Sequence, residues 1–156
     1  RYGVTPWKDG HADKVKRVIA CSGKVAYDLL KKVDEKKGGD VAILRIEQLY
    51  PFPHEDFQVQ IERYRQATEI VWCQEEPGNQ GAWHRIQHYL LRHMRQDQVL
   101  AYAMRKSSAS PAVGYLSLHI EQQKEVVNAA FREIIDNYVL PVQGAGKTAR
   151  DPRNDT

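Results

Sequence analysis

Four runs of strand length are apolar almost from end to end: RVIAC (Arg17–Cys21), VAILRI (Val41–Ile46), EIVWCQ (Glu69–Gln74) and VLAYAM (Val99–Met104). Each gives way to a stretch with helical periodicity. Strands that do not alternate apolar with polar are those buried on both faces, and strands separated by single helices run parallel through right-handed crossovers. The pattern therefore predicts an α/β fold: a three-layer sandwich with a mainly parallel sheet.

The helical stretches are read from their stripes. Ser22 stands where an N-cap belongs, ahead of Ala26, Leu29, Leu30 and Val33, and the helix is expected to stop at Gly38-Gly39. After the turn residues LYPFP, Phe57, Ile61 and Tyr64 share one face; after a Pro-Gly loop, Trp83, Ile86, Leu90 and Met94 do. A last helix carries Val127, Ala130, Phe131, Ile134 and Tyr138. The domain is expected over residues 17–138, with a polar lead segment over 1–16 and a flexible tail over 139–156, where Gly, Pro and polar residues prevail.

A chain of 156 residues suffices for one core, so a large multi-domain enzyme is not complete here. Arg1 in place of Met suggests a piece of something longer. The net charge of +3 is spread along the chain, unlike the clustered field of a nucleic-acid binder, and the run KKVDEKK (Lys31–Lys37) reads as a solvated helix end. Cys21 and Cys73 each sit in an apolar run, as buried free thiols do, which suits a reducing compartment. No apolar stretch reaches membrane-span length and no signal-peptide run opens the chain, so an intracellular protein is expected.

In an open parallel sheet the strand-to-helix loops gather at the carboxyl edge, where ligands bind. Here they are SGK (Ser22–Lys24), EQLYPFP (Glu47–Pro53), QEEPGNQGAW (Gln74–Trp83) and RKSSASPAVGY (Arg105–Tyr115). Ser22 with Lys24 at a helix N-terminus, joined by Arg105 and Lys106, could form an anion pocket, although a cap and exposed cations explain them equally well. Glu75 and Glu76 are adjacent in a strand and so point to opposite faces; they suit hydrogen bonding at an interface better than shared acid/base work. His84 and His88 have the spacing of a helical zinc pair, but Arg85 replaces the glutamate of that motif, and Arg92 and Arg95 repel a cation; no metal site is expected. GAGKT (Gly144–Thr148) lacks the first glycine of a phosphate loop, since position 141 is Pro141. Neither cysteine has a partner at nucleophile spacing.

The loops also carry a resemblance. CSGKVAYDL, VAILRIEQLYPFP, VWCQEEPGNQGAW and SSASPAVGYLSLHIEQQ follow in unbroken order between about residues 14 and 131. Together they resemble the C-terminal domain of the decarboxylating component of the 2-oxoglutarate dehydrogenase complex, a domain similar to the third domain of the transketolase superfamily. The resemblance implies a homodimeric enzyme, dependent on thiamine diphosphate and Mg²⁺. Such an enzyme decarboxylates 2-oxoglutarate and passes the succinyl group to the lipoyl arm of an acyltransferase. It further implies that the cofactor-binding residues lie in preceding domains, because the GDG motif does not occur here, so no catalytic residue is assigned to this chain.

The expected role of the chain is thus to buttress the preceding domains and extend the subunit interface. Tyr50, Phe52, Trp83 and Tyr115 would supply apolar contact area, with Ser22, Lys24, Glu75 and Glu76 beside them. Asn79, Gln80 and Arg105 complete that interface or ligand edge. The resemblance also implies an anionic regulator such as acetyl-CoA or a nucleotide. The alternatives are the matching domain of a 2-oxoadipate dehydrogenase and a stand-alone module sensing an acyl-CoA or nucleotide through Ser22, Lys24 and Arg105. The expected location is a bacterial cytoplasm or a mitochondrial matrix.

Overall fold

A computed structural model describes residues 3–7, 12–36, 39–105, 116–132 and 140–141. The four apolar runs form the parallel centre of the sheet: β2 (Arg17–Cys21), β3 (Val41–Ile46), β4 (Glu69–Pro77) and β5 (Val99–Arg105). β2 lies between β3 and β4, in register with both, and β4 pairs parallel with β5. Two short antiparallel strands close the edges. β1 (Val4–Trp7) pairs with β3, and β6 (Leu140–Pro141) pairs with β5, giving the order β1-β3-β2-β4-β5-β6.

Side chains alternate between two cores. Val18, Ala20, Ala42, Leu44, Ile70, Trp72 and Leu100 pack under α2 (His54–Arg63) and α3 (Trp83–His93), where Phe57, Ile61, Ile86 and Leu90 meet them. Ile19, Cys21, Ile43, Val71, Cys73, Ala101 and Ala103 face α1 (Val25–Lys36) and α4 (Leu116–Phe131), which contribute Leu29, Val33, Val127 and Ala130. Both faces of the central strands are therefore dry, which is why those strands carry no polar alternation. The chain turns from β2 toward β3 over one face and from β3 back past β2 to β4 over the other. That reversal keeps both crossovers right-handed.

Several boundaries differ from the sequence expectation. The lead segment supplies β1, and Val4 and Val15 are buried, because an edge strand needs only one covered face and so lacks a continuous apolar run. β4 runs to Pro77 through a register shift after Cys73, so Glu75 and Glu76 belong to the strand and not the loop. Arg105 likewise ends β5. Leu140 and Pro141, read as flexible tail, lie in the sheet. α1 begins at Val25, three residues beyond Ser22, and Gly23 at φ +79° lies in the intervening turn. α4 starts at Leu116 and ends at Phe131, and Ile134 and Tyr138 lie outside the described residues, as do Lys106, Tyr115 and the GAGKT segment.

Arg17 at the start of β2 ties this frame together from its amino end. Its Nε donates to Glu69 Oε2 at 2.8 Å, and its Nη1 donates to the Ala130 and Arg132 carbonyls at 2.9 and 2.6 Å. Those carbonyls belong to the C-terminal end of α4, where intrahelical partners run out.

Candidate functional site

The crevice of an open α/β sheet forms where neighbouring strands send their chains to opposite faces. β2 leads to α1 on one face, whereas β3 and β4 lead to α2 and α3 on the other. A cleft of about 690 Å³ opens at that point, lined among others by Ser22, Gly23, Leu49, Tyr50, Glu75, Glu76, Arg85 and Tyr89. Tyr50 projects from its rim, 87% exposed.

The floor is organised by Gln74, a fully buried amide. Its Oε1 accepts from Trp72 Nε1 at 2.9 Å and from the Trp83 backbone N–H at 3.0 Å. Its Nε2 donates to the carbonyls of Glu76, Pro77 and Gln80 at 3.2, 3.1 and 2.9 Å. One side chain thus holds the end of β4, the 78–82 turn and the first residue of α3. Gly81 closes the turn at φ +69°, and a Cβ there would stand 3.0 Å from Glu76 Cβ and 3.1 Å from Gln74 Nε2. Sequence reading passed over Gln74 as the polar end of a strand. Its signal is the i, i+2 relation to Trp72, which places both on the face that α3 covers.

Both glutamates line the cleft, and Glu75 Oε1 also accepts from Gln123 Nε2 of α4 at 2.8 Å and lies 4.0 Å from Lys24 Nζ. Arg105 Nε donates to the Glu75 carbonyl at 2.8 Å and its Nη1 to Gln122 Oε1 at 3.1 Å. Two of the cations read as an anion pocket, Lys24 and Arg105, are thereby engaged with Glu75 and α4. Lys24 and Arg105 do not line the cleft that Ser22 enters.

Two residues expected at the contact edge are core residues instead. Phe52 and Trp83 are each 6% exposed; Phe52 stacks on Tyr89 at 5.1 Å, and Trp83 packs against Tyr102 at 5.2 Å. A large ring at a loop end reads from sequence as either surface or core; the α2–α3 seam claims Phe52, and β5 receives Trp83. Asn79 is exposed on the turn and Gln80 half-buried, with its carbonyl on Gln74. His84 and His88 lie on the exposed side of α3, at the cleft.

Cys21 and Cys73 are paired in register on neighbouring strands and buried. Burial pushes the Cys21 thiol up to about 12, Glu47 adding to the rise and Arg45 opposing it, and burial raises Cys73 well above the ordinary thiol range. At pH 8, Cys21 therefore holds a thiolate fraction about a thousandfold below that of a free cysteine. A thiol reagent should leave both cysteines unmodified in the native chain and modify both in denaturant; labelling followed by mass spectrometry reads the difference.

The model of the family described as 2-oxoglutarate dehydrogenase C-terminal matches residues 5–131. The chain belongs to the 2-oxoglutarate dehydrogenase C-terminal family. Similar proteins include the 2-oxoglutarate dehydrogenase E1 component of Cupriavidus necator, 55% identical over 124 residues, which cover 80% of this chain and 13% of that protein. The E1 component of Haemophilus influenzae is 56% identical, over 74% of this chain and 12% of that protein. This chain of the 2-oxoglutarate dehydrogenase C-terminal family therefore spans about an eighth of the length of those relatives. A solved structure described as a split gene transketolase, inactive beta4 tetramer, superposes with a TM-score of 0.59 at 18% identity, covering 81% of this chain and 40% of that one. The fold is that of a transketolase domain, as the resemblance implied.

Proposed function

We propose that this chain is the non-catalytic C-terminal domain of a 2-oxoglutarate dehydrogenase. The whole protein would decarboxylate 2-oxoglutarate oxidatively and pass the succinyl group to a lipoyl acyltransferase within a multienzyme complex. The supporting observation is 55% identity to an E1 component, confined to 13% of that component's length. The chain's part is to buttress the preceding domains and the homodimer partner. The cleft rim, with Tyr50 and Leu49 exposed beside it, offers the apolar area such a contact uses. The bacterial sources of the relatives favour a bacterial cytoplasm, and no helix among the described residues is long and apolar enough to cross a membrane.

Thiamine diphosphate and Mg²⁺ belong to the parent reaction. The described residues do not fit them. Among the described residues no group of three or more His, Cys, Asp or Glu side chains is placed to hold a metal ion, and the sequence has no GDG motif. No step of the cofactor's chemistry is placed on the described residues.

The competing sensor reading requires Lys24 and Arg105 to meet an anion, whereas both face Glu75. Calorimetric titration of the chain with acetyl-CoA and with AMP separates the two. The buttress reading expects no heat of binding for either. Micromolar binding that Lys24→Ala abolishes would establish the sensor.

A further inference from the structure

The first residue of α2 meets the last residue of α3 through two imidazoles. His54 Nδ1 lies 2.8 Å from His93 Nε2, and His93 Nδ1 lies 2.7 Å from Gln58 Oε1. Gln58 Nε2 donates to Glu62 Oε1 at 2.7 Å, so the oxygen of that amide is the atom turned toward His93. An acceptor at that position requires the proton on His93 Nδ1. His93 Nε2 is then the acceptor, and His54 Nδ1 must donate to it. One further proton can enter at His54 Nε2 without breaking any of these bonds. A second can go only to His93 Nε2, where it would confront the Nδ1–H of His54 across 2.8 Å.

The surroundings make that confrontation consequential. Phe52 lies edge-on to His54 at 4.9 Å and stacked toward His93 at 6.2 Å; Phe57 lies 5.7 Å from His93, and Tyr89 lies 5.1 Å from His54. Among charged groups, Arg92 of α3 stands over Tyr89, and Glu62 of α2 ends the hydrogen-bonded chain. Asp56 of α2 is engaged by the Gly3 N–H beside β1, Glu55 is exposed on the first turn of α2, and His88 of α3 lies against Tyr89 at 4.0 Å. Among the described residues no carboxylate touches His93 directly. Tyr89 lines the cleft, and Phe52 lies two residues beyond Tyr50, which lines it too.

We propose that His54 and His93 form a proton-operated latch between α2 and α3. It is closed while the two rings share at most one extra proton and opens when each ring is fully protonated. Opening loosens the cleft wall made by Leu49, Tyr50 and Tyr89. Burial first, then His54 and Arg92, lower the proton affinity of His93, which keeps the latch closed at neutral pH. The sign follows: the unfolded chain binds this proton more readily, so the stabilisation is complete above the ordinary histidine value of 6.5 and is lost as pH falls through the lower folded value.

The test is a titration of the 156-residue chain from about pH 8 to about pH 4.5, reading imidazole nitrogen shifts, near-ultraviolet circular dichroism and amide exchange together. The latch requires the first ring to titrate with the aromatic signal unchanged. The second titration should coincide with loss of that signal and a rise of about tenfold or more in exchange along α2 and α3. In His93→Gln the transition should vanish. Should that variant not fold, Gln58→Glu serves, because a carboxylate at His93 Nδ1 moves opening upward by about one pH unit or more. Full protonation of both rings without any change in the aromatic signal overturns the proposal. So does an unaltered transition in His93→Gln, or an unmoved midpoint in Gln58→Glu.

Discussion

Gln74→Leu should lower the unfolding free energy by about 3–5 kcal/mol, read as a shift of the urea midpoint at constant slope. The Leu side chain fits the volume but removes one partner from each of five backbone and indole groups, of which the Pro77 carbonyl keeps the Gln80 N–H at 2.9 Å. Each buried polar group so abandoned costs about 1–3 kcal/mol, reduced where water can enter from the cleft. Gln74→Glu should cost as much, since a carboxylate can accept from Trp72 and Trp83 but has nothing to donate to the three carbonyls. If Gln74→Leu stays within about 0.5 kcal/mol of the parent, the amide is not the organiser of the cleft floor.

Arg17→Met should cost about 2–4 kcal/mol and loosen α4 in particular. The guanidinium side chain is 9% exposed, whereas its partner Glu69 is 33% exposed, so solvent screens part of the ion pair and the discounted remainder is small. The larger share comes from the Ala130 and Arg132 carbonyls, which no methionine can reach. Arg17→Lys should recover less than half, because one ammonium cannot serve a carboxylate and two carbonyls in the fork geometry that Arg provides. Hydrogen exchange at residues 126–131 measures this directly: the variant should lose protection there before it does in β2 and β4.

The central sheet was legible because burial on both faces writes itself as continuous apolar runs, and the intervening stripes settled the number and order of the helices joining them. What escaped was set by contacts outside each element's own repeat. β1 is a single Val-Thr-Pro-Trp stretch whose pairing with β3 no local pattern announces. Phe52 and Trp83 sit at loop ends, where the closing of α2 on α3 turns the first ring inward and the packing of α3 on β5 turns the second. The strand-end location of the cleft followed from parallel topology alone. Its floor did not, because Gln74 earns its role from partners at positions 76, 77, 80 and 83 that a strand reading leaves to solvent. Strand alternation set Glu75 and Glu76 on opposite faces, yet both line the cleft, past a register shift that no local pattern marks; the engagement of Lys24 and Arg105 with Glu75 likewise depends on contacts beyond the strand.

A domain that buttresses without catalysing has a characteristic distribution of defects. Variants at Gln74 or Arg17 should lower the stability of the whole protein, and through it the yield of active enzyme, while leaving the KM for 2-oxoglutarate unchanged in the fraction that folds.

The most direct test of the domain assignment is turnover of 2-oxoglutarate, with thiamine diphosphate and Mg²⁺ supplied, in three proteins. They are this chain alone, the Cupriavidus necator relative lacking its matching C-terminal segment, and a chimera in which residues 5–131 of this chain replace that segment. The first two should show no turnover and the chimera should be active. Turnover by this chain alone, or full activity in the truncated relative, would contradict the assignment.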